Sequence, residues 1–78
     1  MKRFYYTFGT DPAFPHGANE YVAVEAENET EADQKFMEVY PPRPGSNLLN
    51  CAFVYAAEKF EAFRDKYYKG VEPVRVIK

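Results

Sequence analysis

Tryptophan is absent from this chain, and cysteine and histidine occur once each, as Cys51 and His16. A lone cysteine excludes an internal disulfide. A lone histidine excludes a histidine-rich metal centre, and no recognised ligand spacing joins it to carboxylates, so no metal or other cofactor is expected. No apolar run approaches the roughly 20 residues of a membrane-spanning helix. The charged start Met1-Lys2-Arg3-Phe4 is not followed by an apolar stretch of signal-peptide length. The expected compartment is the cytoplasm. Basic charge is scarce too: ten Lys and Arg against twelve Asp and Glu leave a formal net charge of −2 and a pI near 5.3. A general nucleic-acid binder needs a basic face to neutralise phosphates, so that class is disfavoured and a protein partner preferred.

Aromatic rings are plentiful. Seven Phe and seven Tyr are spread over 78 residues. A chain of this length makes one domain, residues 1–78, near the lower limit for a self-sufficient core, and each buried ring removes about 150–250 Å² from water. Phe4, Tyr6 and Phe8 alternate with Arg3, Tyr5 and Thr7, which predicts a first strand with one strongly aromatic face turned to the core.

The best-defined stretch is residues 20–40. Tyr21-Val22-Ala23-Val24-Glu25-Ala26 is short, β-branched and partly alternating, as a half-buried strand requires. Asn28 is placed to cap a helix, with Glu31 three residues on to complete a capping box. Ala32, Phe36, Val39 and Tyr40 then share one helical face, with Glu29, Asp33 and Glu38 turned away. Pro41 and Pro42 end the helix.

Two loops are stiffened by proline. Residues 9–19 hold Gly9, Asp11, Pro12, Pro15, Gly17 and Asn19, long for a hairpin connection, with Asp11 set for an Asx-turn ahead of Pro12. Residues 41–47 hold three prolines in four positions and favour extended geometry. Residues 48–55 form the most apolar run and predict a buried central strand, in which the Asn50 amide must find partners and Cys51 serves as a small buried hydrophobe. Ala56, Phe60, Phe63 and Tyr67 keep helical spacing opposite a mixed-charge face, without an obvious N-cap, and Gly70 ends that helix. Val74, Val76 and Ile77 form a last strand, of which Pro73 marks the start or an edge position.

The order is β-β-α-β-α-β. The expected fold is α+β: a two-layer sandwich of a four-stranded mixed sheet with both helices on one face. Direction parity sharpens this. If the first two strands form a hairpin and each helix returns the chain to the same end, then strands two, three and four all begin where strand one stops. The 9–19 and 41–47 loops would share one rim with Asn50 and Cys51.

That rim supplies the candidate contacts Asp11, Phe14, His16, Arg43, Asn47 and Asn50. Arg43 suits a carboxylate or phosphate, Asp11 a basic group, and Phe14 an apolar pocket of a partner. The first functional expectation is a non-enzymatic interaction module, a monomer or homodimer. The acidic row Glu25, Glu27, Glu29, Glu31 and Asp33 offers a second way to engage a basic partner. The alternative is an enzyme or small-ligand binder using Asp11, His16 and Cys51 as carboxylate, base and nucleophile.

Two stretches, Phe8-Gly9-Thr10-Asp11-Pro12-Ala13-Phe14-Pro15 and Pro42-Arg43-Pro44-Gly45-Ser46 followed by Asn50-Cys51-Ala52, resemble a group of small uncharacterised bacterial proteins associated with phages and mobile elements. The resemblance implies an accessory or inhibitory protein acting on a host or phage component. It implies no catalytic or binding residue.

Overall fold

A computed structural model describes residues 1–78, the side chain of Phe63 excepted. The elements are β1 (Lys2–Thr7), β2 (Tyr21–Ala26), α1 (Glu29–Val39), β3 (Phe53–Ala56), α2 (Ala57–Tyr67) and β4 (Arg75–Ile77). They form the α+β four-stranded mixed sheet that the pattern predicts, in the order β3-β1-β2-β4. β1 pairs antiparallel with both β2 and β3, from Lys2 opposite Ala26 to Thr7 opposite Tyr21 on one side and from Phe4 opposite Ala56 to Thr7 opposite Phe53 on the other. β4 runs parallel to β2. Among the described residues, no helix is long and apolar enough to cross a membrane.

The two helices lie on opposite faces of this sheet, which corrects the two-layer expectation. Tyr6 stacks on Phe36 of α1, with ring centroids 4.3 Å apart. Its neighbour Tyr5, pointing the other way, stacks on Phe60 of α2 at 4.5 Å. One core gathers Phe4, Tyr6, Phe8, Val22 and Val24 under α1; the second gathers Tyr5, Tyr21 and Ala23 under α2. Two physical reasons converge. β1 and β2 carry bulky side chains on both faces, and Tyr5 and Thr7, expected outside, are buried; a tyrosine ring tolerates this because its hydroxyl reaches outward, here to Glu61 at 3.2 Å. The crossovers also travel in opposite directions, β2 to β3 one way and β3 to β4 the other. Two crossovers of the same hand that run in opposite directions must lie on opposite faces.

β3 is the second correction. The apolar run 48–55 does not make a central strand: only Phe53–Ala56 is extended, it forms a sheet edge, and Leu48 and Phe53 are 73% and 61% exposed. β1 and β2 take the centre because their ladder is longer and both their faces are apolar. Residues 48–52 are spent spanning the rim between α1 and β3. Pro73 does precede an edge strand, β4.

The caps follow local chemistry. The Asn28 side chain accepts from the Glu31 N–H at 2.9 Å, while the Glu31 carboxylate reaches back to the Glu27 N–H at 3.1 Å. α2 begins at Ala56 without a side-chain cap. Asp33 is not turned away as expected but accepts the Tyr6 hydroxyl at 2.8 Å. Phe63, expected on the apolar face of α2, lies outside the described side chains.

Candidate functional site

β1 ends, and β2, β3 and β4 begin, at one end of the sheet. The three connections 8–20, 40–52 and 68–74 therefore meet on a single rim. In the first, the Asp11 carboxylate accepts the Ala13 N–H at 2.9 Å, the expected Asx-turn, and the Phe14 N–H closes a turn onto the Asp11 carbonyl at 3.2 Å. In the second, the Ser46 N–H bonds the Arg43 carbonyl at 3.0 Å, closing a turn over Pro44 and Gly45. Gly45 has φ +80°, the left-handed conformation such a turn asks of its third residue.

A clasp joins the two loops. Arg43 Nη1 lies 3.8 Å from Asp11 Oδ2, and its guanidinium sits 4.8 Å above the centre of the Phe14 ring. Both charged side chains are close to half exposed. An exposed pair of this kind is worth about 0–1 kcal/mol, and the cation–π contact about 0.5–1 kcal/mol, enough to choose one arrangement of two already stiff loops. Asp11 and Arg43 were expected to meet a partner separately. They meet each other, across 32 residues of chain.

His16 anchors the first loop. Its Nε2 is 2.8 Å from the Tyr40 hydroxyl at the end of α1, its Nδ1 is 3.9 Å from Glu20, and its ring packs edge-on against Phe8 at 5.1 Å. Glu20 also accepts the Gly17 N–H at 2.7 Å. Asp11, Phe14, His16 and Glu20 line an open concavity of about 480 Å³. Asn50 donates to the Pro41 carbonyl at 3.3 Å, pinning the two ends of the second loop; its Oδ1 is buried with no hydrogen-bond partner among the described residues. Asn47 is exposed on the same loop. Glu20 and Tyr40 were missed as rim residues: Glu20 was legible as the i+4 neighbour of His16, whereas nothing local distinguishes Tyr40 from a core aromatic.

Among the described residues, no hydrogen bond or ion pair joins Asp11, His16 and Cys51 to one another. Asp11 is engaged by Arg43, His16 by Tyr40 and Glu20, and Cys51 packs against the α1-side core, where it feels the charge of Asp33. Burial first, and Asp33 second, push the Cys51 thiol up to about 12 from an ordinary 9.0. A rise of that size lowers the thiolate fraction at neutral pH by roughly a thousandfold. Iodoacetamide should accordingly label native Cys51 at least about a hundredfold more slowly than the urea-unfolded chain. Equal rates would show an accessible, ionisable thiol. Among the described residues, no group of three or more His, Cys, Asp or Glu is placed to hold a metal ion.

The fold and rim thus define a small α+β domain with a stiffened loop surface at one end of its sheet. Comparison with protein-family models, with curated proteins and with solved structures returned no match, so function has to be argued from this chain's own residues.

Proposed function

We propose that the protein is a non-enzymatic interaction module that binds another protein through the 9–19 and 41–47 rim, a host or phage component being the partner class that the sequence resemblance favours. The observation that carries this reading is the Asp11–Arg43–Phe14 clasp. Two proline-bearing loops, distant in sequence, are held in one arrangement while their polar ends and the Phe14 ring stay partly open to solvent. A surface already ordered before contact loses less conformational entropy on binding, and so keeps more of its contact energy as affinity. Phe14 supplies the apolar anchor, and Arg43, close to half exposed, keeps donors free to reach a carboxylate.

The test is affinity capture of partners from the protein's own cell, nuclease-treated, with the wild type and with the double variant Phe14→Ala/Arg43→Ala as baits. The wild type should retain a stoichiometric protein that the variant loses by tenfold or more (about 1.4 kcal/mol), while the far-ultraviolet circular dichroism of the two baits coincides. A partner retained equally by both baits would remove the rim from its role.

A further inference from the structure

Among the described residues, β3 is flanked by β1 on one side and by no strand on the other. The outward N–H and C=O groups of such an edge are a template for another extended chain, and proteins commonly block the template with Lys, Pro or a bulge. The opposite edge carries such guards, with Arg75 in β4, Lys78 at its end and Pro73 before it. β3, Phe53-Val54-Tyr55-Ala56, has neither charge nor proline. At its head the exposed Phe53 ring lies 6.1 Å from that of Tyr55.

α2 forms a wall above this edge. Phe60 faces the sheet, while Arg64 and Tyr68 turn toward β2, where they line a shallow pocket with Tyr21. At 3.6 residues per turn, the described side chains on the side of the helix turned the other way, toward the free edge of β3, include Lys59, Ala62 and Lys66, all exposed. The three carboxylates of α2 have other surroundings: Asp65 lines the Tyr21 pocket, Glu58 lines a groove with the start of β1, and Glu61 accepts the Tyr5 hydroxyl. An unguarded strand edge thus lies beneath two lysines one heptad apart, beside an exposed aromatic ring.

We propose that this edge takes up an extended, acidic segment of another protein as a fifth strand. The main chain of the segment pairs with β3, its carboxylates meet Lys59 and Lys66, and one apolar side chain rests on Phe53. The charge pattern selects against a second copy of this chain. Pairing two β3 edges about a two-fold axis sets the helices antiparallel, which brings Lys59 of one copy toward Lys66 of the other. The edge and the loop rim are separate surfaces, and neither reading depends on the other.

The test uses two short probe peptides, one alternating Glu and Val, the other Lys and Val, titrated into the ¹⁵N-labelled full chain. The glutamate peptide should shift the amides of Phe53–Ala56 and bind about tenfold more tightly than the lysine peptide. The Lys59→Glu/Lys66→Glu double variant, changed only at exposed positions, should reverse that preference. Equal affinity for the two peptides, shifts confined to the loop rim, or no shift at millimolar peptide would overturn the proposal. Self-association through β3, seen by sedimentation as a dimer that the double variant strengthens or leaves intact, would overturn it in favour of the second copy.

Discussion

Phe60→Ala is expected to cost about 3–5 kcal/mol, as large-to-small changes of fully buried aromatics do. Domains of this class hold about 5–15 kcal/mol in all, so the variant should be extensively unfolded or melt far below the wild type. The size follows from position. Among the described residues, Phe60 is the one α2 side chain in the buried cluster with Tyr5, Tyr21 and Ala23, and its ring lies 4.5 Å from Tyr5, 4.8 Å from Tyr21 and 5.4 Å from Tyr68. Removing it opens a cavity between α2 and the sheet. Phe53→Ala is the control: the same ring chemistry at an exposed edge position should change stability by about 0.5 kcal/mol or less. Urea unfolding followed by far-ultraviolet circular dichroism separates the two. A Phe60→Ala cost below about 1 kcal/mol would mean that α2 does not hold down that face of the sheet.

Alkali should unfold the protein cooperatively, and this is the second large effect. Burial, assisted by the Asp33 carboxylate that accepts its proton at 2.8 Å, raises the Tyr6 pKa far above the ordinary 10.0. Burial also raises Tyr21, Tyr40 and Tyr68, and carries Cys51 to about 12. In each case the folded chain holds its proton more tightly than the unfolded chain. The contribution of these groups to stability is therefore complete below the ordinary thiol and phenol values. It is lost as pH climbs through them toward the folded-state values, because the unfolded chain then sheds protons that the native chain keeps. Thermal melts should hold steady with respect to these groups up to about pH 9 and fall steeply above about pH 10. Phenolate absorbance should rise together with the loss of circular dichroism. A Tyr6 that ionises at an ordinary midpoint in a chain that stays folded would contradict its burial and its bond to Asp33.

Much of this architecture is readable without coordinates because it depends on near neighbours. The Asn28 cap needs only a side-chain oxygen three residues ahead of a helical N–H. The Asp11 turn needs a carboxylate beside Pro12. Even the shared rim follows from direction alone: a hairpin followed by two returning helices brings every later strand in at the end where β1 leaves.

Other features depend on which strands become neighbours, and no local pattern encodes that. Tyr5 and Thr7 read as an outer face because alternation separates two faces without saying how many will be covered. Strand order settles the matter: with β3 and β4 at opposite edges, the crossovers run in opposite directions and the helices take opposite faces. The apolar run 48–55 reads as central because composition reports burial capacity, not place in the sheet. Its edge position follows once β1 and β2 fill the middle.

The same division runs through the rim. Residue types alone place Asp11, Phe14, His16 and Arg43 in exposed, stiff loops. The pairing of Asp11 with Arg43, and of His16 with Tyr40, joins positions 32 and 24 residues apart and exists only once the loops are folded against one another. Contacts of that span form when the entropy of closing the intervening chain is offset by the two cores, which are built from both ends of the sequence at once.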